Sequence, residues 1–398
     1  MAELNHMNKV IIWGADDINT LGLVREMGEN KVDFLFLRKG KPNAASRSCY
    51  VKESYEVSTN QEALSYLIET YKNSESKPII ITSGDGISAF INNHKEKLEA
   101  YFVIPGCETK GNVEKYTDKN TMVELARRIG ILCPDSKFVK WDSSLDGILY
   151  PCIIKPSHQT GNHYNEFKFR VCKDAKTLRK LLSGVRHDSE FVVQSYIKAK
   201  EEVVVVGARM WDGKTIISGA IIRDRLTCGI SGHGYITSIV PSCIDVKKIE
   251  SYLEEIGYYG LFSFEYGIMD SKAYFYEVNL RNDGTTHCFY NVGAKLALSY
   301  VYSAAGLDYT EINSIVTQDA WFIDELYDFH NVLEGVIPYK RWKQEMKQAS
   351  VYRYYDKNDT QPYEYLKRRR YLKICQYIVL NRFRPMIVKV LDKLGVKK

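Results

Sequence analysis

Apolar positions in residues 8–112 fall into short runs separated by stretches of helical spacing. Val10-Ile11-Ile12-Trp13 predicts a strand, followed by Gly14-Ala15-Asp16-Asp17 and a helix from about Asn19 to Met27. Further strands are expected at Asp33–Leu37, Pro78–Thr82 and Tyr101–Ile104, with helices near Gln61–Tyr71 and Ile87–Leu98. Strands alternating with helices imply a parallel, doubly wound sheet whose working edge is the carboxyl ends of its strands. Those ends carry Gly14–Asp17 and Ser83-Gly84-Asp85-Gly86. After residue 113 the pattern changes. A helix opens at Thr117-Asp118-Lys119 and stops at Gly130; apolar strands follow at Tyr150–Pro156 and Phe191–Ile197, and then Glu201-Glu202 precede Val203–Val206. Between Leu261 and Gly284 two runs alternate apolar with other residues about a turn at Asp270-Ser271, which predicts a hairpin. Residues two apart share a sheet face, so Glu277, Asn279 and Arg281 point one way. With an odd-numbered loop centred near Ser271, Glu265 lies directly opposite Glu277.

Composition narrows the class. At 398 residues, two or three domains are expected, and 45% hydrophobic with 26% charged residues is ordinary for a soluble globular chain. No apolar run of about 18 residues and no signal-peptide pattern is present, so a cytoplasmic protein is expected. The nine cysteines include no C-x-x-C and no histidines at zinc spacing, which points to reduced, mostly buried thiols. There is no G-x-G-x-x-G, and the second strand ends in Arg38-Lys39 where a dinucleotide site needs an acid, so no NAD site is expected. The net charge of +6 is concentrated at the end of the chain: Tyr365–Lys398 holds eleven Lys/Arg and one Asp. No nucleic-acid motif accompanies it, and no nucleic-acid partner is expected.

Two carboxylates placed opposite each other destabilise a sheet unless a cation lies between them. Mg²⁺ takes one or two carboxylates, an amide oxygen and phosphate oxygens, which is what Glu265, Glu277 and Asn279 offer; a solvated polar sheet face has the same pattern. Lys119, at a helix start, opposes the helix dipole, and a phosphate ligand would account for it, as would plain surface exposure. Lys155 ends an apolar strand before the polar loop Ser157–Asn162, whose N–H groups can turn toward phosphate oxygens.

In order, the chain reads D-K, I-I-K-P with a polar loop, V-V-Q-x-Y-I with a Glu seven residues after the Gln, F-x-F-E, and Y-E-V-N-L-R. Over roughly residues 8 to 305 this resembles the ATP-grasp superfamily, in particular single-core carboxylate–amine ligases of the D-aspartate ligase and carbamoyl-phosphate-synthetase-like type. The resemblance implies an α/β (α+β) fold: a half-Rossmann domain (1–112), then an ATP-grasp fold with antiparallel sheets. Its small subdomain is 113–190, its large subdomain with the metal site 191–310, and 311–398 is a basic, partly helical extension. It further implies ATP with Mg²⁺ (or Mn²⁺) as cofactors. Lys119 and Lys155 then hold phosphates, Gln194 stands where the family often has Glu facing the adenine amino group, Ile197 offers backbone to the ring, and Glu201 matches the ribose carboxylate. Glu265, Glu277 and Asn279 hold the metal, and Arg281, with Lys155, serves the reacting acyl phosphate.

Two departures stand out. The loop after Lys155 has only Gly161 where the family is richer in glycine. After Arg281 the run Asn282-Asp283-Gly284-Thr285-Thr286-His287 places an acid and a histidine where many relatives have small neutral residues; these bind substrate or are satisfied structurally. The implied activity is ATP-dependent joining of a small carboxylate to an amine, the amine being an amino acid or amino sugar. A carboxylase or carbamoyl-phosphate-type activity, and a nucleotide-binding protein without turnover, are the alternatives. Thr227–Tyr235 is glycine-rich and expected to help close the site; Arg223 and Arg225 steer an acidic substrate or sit in solvent. In the tail, Tyr339–Tyr355 is aromatic and basic and 356–362 is a loop. Tyr365–Val379 and Met386–Leu394 are two amphipathic runs suited to an anionic membrane surface, to their own domain, or to a second subunit in a homodimer.

Overall fold

The computed structural model describes residues 8–157, 167, 169–227 and 229–393. Its first sheet contains β1 (Val10–Ala15), β2 (Phe34–Lys39), β3 (Ser54–Val57) and β4 (Ile79–Thr82), all parallel, in the order β3-β2-β1-β4. Strands β1 and β4 and most of β2 are apolar because both faces are covered. Val10 and Ile12 cluster with Leu23 and Met27 of the helix Ile18–Glu29, while Ile11 and Trp13 cluster with Leu64 and Ile91 of the helices Asn60–Tyr71 and Asp85–Asn93. Three details differ from the sequence expectation. The edge strand β3 is mostly exposed and carries no apolar run to announce it. The expected helix Ile87–Leu98 is two helices broken at His94, and Tyr101–Ile104 contributes only a single bridge, Val103 to Ile79.

After a short β5 (Gly106–Cys107), a second, antiparallel sheet is built from β6 (Ser136–Val139), β7 (Cys152–Pro156), β8 (Arg170–Cys172) and β9 (Phe191–Ser195), ordered β6-β9-β7-β8. Because β9 hydrogen-bonds between β6 and β7, this sheet runs past residue 190, where the small subdomain was expected to end. The third sheet comprises β10 (Glu201–Arg209), β11 (Thr215–Thr227), β12 (Ile230–Thr237), β13 (Tyr258–Met269), β14 (Lys272–Asn279), β15 (Ala320–Ile323) and β16 (Val351–Tyr352). Its order is β14-β13-β10-β11-β12-β15-β16, and β5 pairs with the start of β13. Thus the segment after 311, expected as an extension, supplies two strands of the large sheet. One face of that sheet packs Val205, Phe264 and Phe275 against the helices Lys119–Arg128 and Val246–Glu255. The opposite face is apolar at Val204 and Val206, where it clusters with Leu23 and Met27 of the first domain. Toward one end the same face becomes acidic.

The last helix, Gln361–Lys393, is continuous through Pro385, joining the two runs read from the sequence. Among the described residues no helix is long and apolar enough to cross a membrane.

A buried charge pair ties the first domain to the C-terminal segment. Arg25 and Asp359 are fully buried, with Nε to Oδ2 at 2.9 Å, and Arg25 Nη2 donates to the carbonyls of Tyr354 and Asp359. His287 accepts from Arg25 Nη1 at 2.9 Å; burial, with that guanidinium beside it, holds the imidazole well below its ordinary pKa and therefore neutral. So His287 has a structural partner at Nε2, while its buried Nδ1 has none among the described residues. Breaking a buried pair leaves an uncompensated charge, and Arg25→Ala is expected to cost about 3–5 kcal/mol in denaturant unfolding. Glu26, one residue on, is also fully buried, and burial pushes its carboxyl up to about 8 despite N–H donation from Leu298. The unfolded chain releases this proton near 4.5, so the contribution is complete below that pH and is lost as pH rises toward 8. Between those values unfolding stability should fall with pH less steeply in Glu26→Gln than in the wild type.

Candidate active site

The site is built on the β13–β14 hairpin. Its turn is two residues, Asp270 and Ser271, at φ of 50° and 58°, the left-handed pair of a type I′ turn. An even turn alone would set Glu265 opposite Tyr276. A bulge between Glu265 and Tyr266 shifts the register, and Glu265 pairs with Glu277. The expected juxtaposition is therefore present, through an extra residue in the strand where an odd loop was expected. The bulge also lets two consecutive residues, Tyr276 and Glu277, line the same cavity. Gly267 makes room for it: a Cβ there would fall 1.9 Å from the Tyr276 hydroxyl.

That cavity, about 570 Å³, lies between the second and third sheets and reaches the first domain at Asn19 and Asp85. Lys119, Lys155, Gln194, Ile197, Glu265, Glu277, Asn279 and Arg281 all line it. Asp118 caps the helix that begins with Lys119, accepting from the N–H of Asn120 and Thr121, and Lys119 Nζ lies 3.4 Å from the Pro156 carbonyl at the end of β7. Lys155, in the same strand, lies 5.7 Å above the Tyr276 ring, within cation–π range. Gln194 is buried in β9 opposite Ile153. The polar loop after Ser157, with Gly161, lies outside the described residues.

Electrostatics explain much of the rest. Arg223 Nη1 is 2.7 Å from Glu265 and 3.5 Å from Glu202, and its Nε donates to Ser231 Oγ. Burial works against this charge, but Glu265 and Glu202 outweigh it and raise the guanidinium pKa. Arg281 donates to Asp85 Oδ1 at 2.9 Å and to Asn279 Oδ1 at 3.0 Å; burial again opposes the charge, and Asp85 and Asp283 more than offset it. Asp283 accepts from Ser263 Oγ and Thr285, and although burial works against its charge, Arg281 and the Thr285 donors hold it below its usual range. Among the described residues no cationic side chain is within 4.0 Å of Glu277. Two carboxylates, an amide oxygen and this unbalanced charge suit a hard divalent cation.

Several expectations are corrected. Glu201 is exposed at the start of β10 and does not line the cavity; Glu202, on the other face of the strand, does. Arg225 is held by Asp224, Asp328 and Glu345 away from the cavity. Thr227–Tyr235, apart from Cys228, which is not described, is largely strand: a Cβ at Gly232 or Gly234 would meet Thr227 Oγ1 at 2.0 Å or the Ile222 carbonyl at 2.8 Å, so these glycines serve close packing. Asp224, His233 and Glu345 are close enough together for a metal, but Arg225 and Arg341 already ion-pair with both acids. Sequence reasoning named neither Asp85 nor Arg353 as site residues. The rule that function gathers at strand carboxyl ends flagged the Asp85 turn; nothing flagged Arg353.

No family model matches the chain. It is 26% identical over 144 residues to formate-dependent phosphoribosylglycinamide formyltransferase of Sulfurisphaera tokodaii, covering 34% of this chain and 36% of that protein. It is 23% identical over 236 residues to D-aspartate ligase of Enterococcus faecium, covering 54% and 55%. In structure it resembles N5-carboxyaminoimidazole synthetase from Staphylococcus aureus complexed with ADP, with a TM-score of 0.62 at 16% identity over 82% of this chain and 85% of the other. The chain spans about a third to a little over half of the length of these curated relatives. The fold is that of the ATP-grasp superfamily.

Because the bulge depends on Gly267, Gly267→Ala should cost about 1–3 kcal/mol in unfolding experiments. Gly86→Ala, where a Cβ meets nothing within 4 Å, is the control and should cost nothing.

Proposed function

We propose that the protein is an ATP- and Mg²⁺-dependent ligase that activates a small carboxylate as an acyl phosphate and joins it to an amine. One observation carries this reading: a lysine at a helix start, a lysine from the second sheet, two acids and an amide from the third, and an arginine anchored to the first domain line a single cavity. Lys119 and Lys155 hold phosphate oxygens, and the backbone near Ile197, with Gln194, receives the base. Glu265, Glu277 and Asn279 hold the divalent ion, which neutralises charge on the transferred phosphoryl group. The substrate carboxylate attacks the γ-phosphorus and ADP leaves; the amine nitrogen then attacks the acyl carbon and inorganic phosphate leaves. Arg281, fixed by Asp85, stabilises the negative charge that develops at the reacting centre. The work is positioning and charge neutralisation, so no nucleophilic side chain is required. The relative named D-aspartate ligase supports a carboxylate and an amine as substrates.

ADP release should appear with a panel of carboxylates and amino acids in the presence of Mg²⁺. Lys155→Ala and Glu277→Ala should each lower kcat/KM by on the order of 10²-fold or more. Release that depends on bicarbonate would favour a carboxylase, and ATP binding without release under every combination would favour a non-catalytic nucleotide-binding protein.

A further inference from the structure

Arg353, in the loop after β16, lines the cavity although it is only 3% exposed. Its Nη1 donates to the Ser231 carbonyl at 2.5 Å and its Nη2 to the Gly284 carbonyl at 3.3 Å. Neither partner carries a charge. The other two arginines of the cavity each have a carboxylate at 2.7–2.9 Å, whereas the nearest carboxylate oxygen to Arg353 among the described residues is that of Asp324, at 4.0 Å. Its Nε is buried without a partner. A guanidinium removed from water needs a close anion, and here one can come from the cavity.

The neighbourhood shapes what that anion is. Gly284 leaves room for Asn19 and for the guanidinium, since a Cβ there would lie 2.2 Å from Asn19 Oδ1 and 2.9 Å from Arg353 Nη2. The same end of the cavity holds Arg281, Asp85 and Asp283. With Asp324 behind Arg353, two guanidinium groups meet three carboxylates, a setting that admits a zwitterion, whose ammonium group finds acids, and disfavours a dianion.

We propose that Arg353 sets substrate specificity by holding the non-reacting carboxylate of an α-amino acid, so that one of the two substrates is an amino acid and neither a simple amine nor a phosphorylated compound. This rests on the ligase reading for its place in the reaction, but the binding claim can be tested alone. The full chain, with Mg²⁺ and a non-hydrolysable ATP analogue, is titrated calorimetrically with the common amino acids, D-aspartate and D-glutamate. The α-amides, decarboxylated amines and aminoalkylphosphonates matched to them are titrated alongside. At least one amino acid should bind, its amide and amine should bind at least tenfold more weakly, and Arg353→Gln should weaken the acid by roughly 10- to 100-fold. Arg353→Lys, which keeps the charge, should recover part of the loss, and unfolding curves confirm that both variants fold. If Arg353→Gln does not fold, Arg353→Lys compared with the wild type should show the same selective loss in smaller measure. In turnover the loss should appear as a raised KM for the amino acid, with KM for ATP unmoved. Equal binding of acid and amide, preference for the phosphonate, no amino acid binding at all, or an unchanged affinity in Arg353→Gln would each overturn the proposal. Selective amino acid binding without any ADP release would leave it standing and sink the ligase reading.

Discussion

One extra residue in a strand decides how this molecule is organised. Without the bulge at Tyr276, Glu265 would face the tyrosine and Glu277 would turn toward the apolar core that holds Phe264 and Phe275. A side-chain period of two leaves no intermediate arrangement. With the bulge, both carboxylates and Asn279 stand on one face, and Tyr276 stays beside them as a platform under Lys155. The repulsion between the acids is relieved in part by Arg223, which reaches Glu265 and Glu202 from β11. The arginine thus marks the place where positive charge is needed.

The surrounding architecture serves to bring three sheets to that face. The helix Ile18–Glu29 packs between the first sheet and the apolar part of the large sheet, and Arg25 locks it to the C-terminal segment through Asp359. From the first domain Asp85 then reaches Arg281, and from the strand-forming C-terminal region Arg353 reaches Ser231 and Gly284. Charges from distant parts of the chain therefore fix one another at the cavity wall. Such preorganisation lets a site stabilise a transition state with little reorganisation.

Much of this was legible in the sequence, for identifiable reasons. The doubly buried strands of the first domain show as continuous apolar runs, and the hairpin shows as alternation, because burial on one or both faces writes directly into residue order. The placement of Lys119 and Lys155 followed from motif order. What was hidden depends on contacts across long sequence separations. The bulge cannot be read from alternation, which only shows a pair of polar residues that either register could satisfy. Glu201 and Glu202 are adjacent, and only the pairing of β10 with β11 and β13 decides which one faces the cavity. Arg353 sits 72 positions after Arg281 in an aromatic, basic stretch, and its significance comes from strands β15 and β16 joining the large sheet. Glycines of β12 looked like a mobile loop because close packing and flexibility call for the same residue.

The central claim is that Glu265 and Glu277 act as a pair on a divalent ion. A crystal structure of the chain with Mg²⁺ and ADP tests it most directly. The account predicts one ion bonded to oxygens of both carboxylates at about 2.0–2.1 Å, with Arg223 withdrawn from, or sharing, Glu265. An ion bound elsewhere, or a nucleotide seated with Glu277 left uncoordinated, would contradict it.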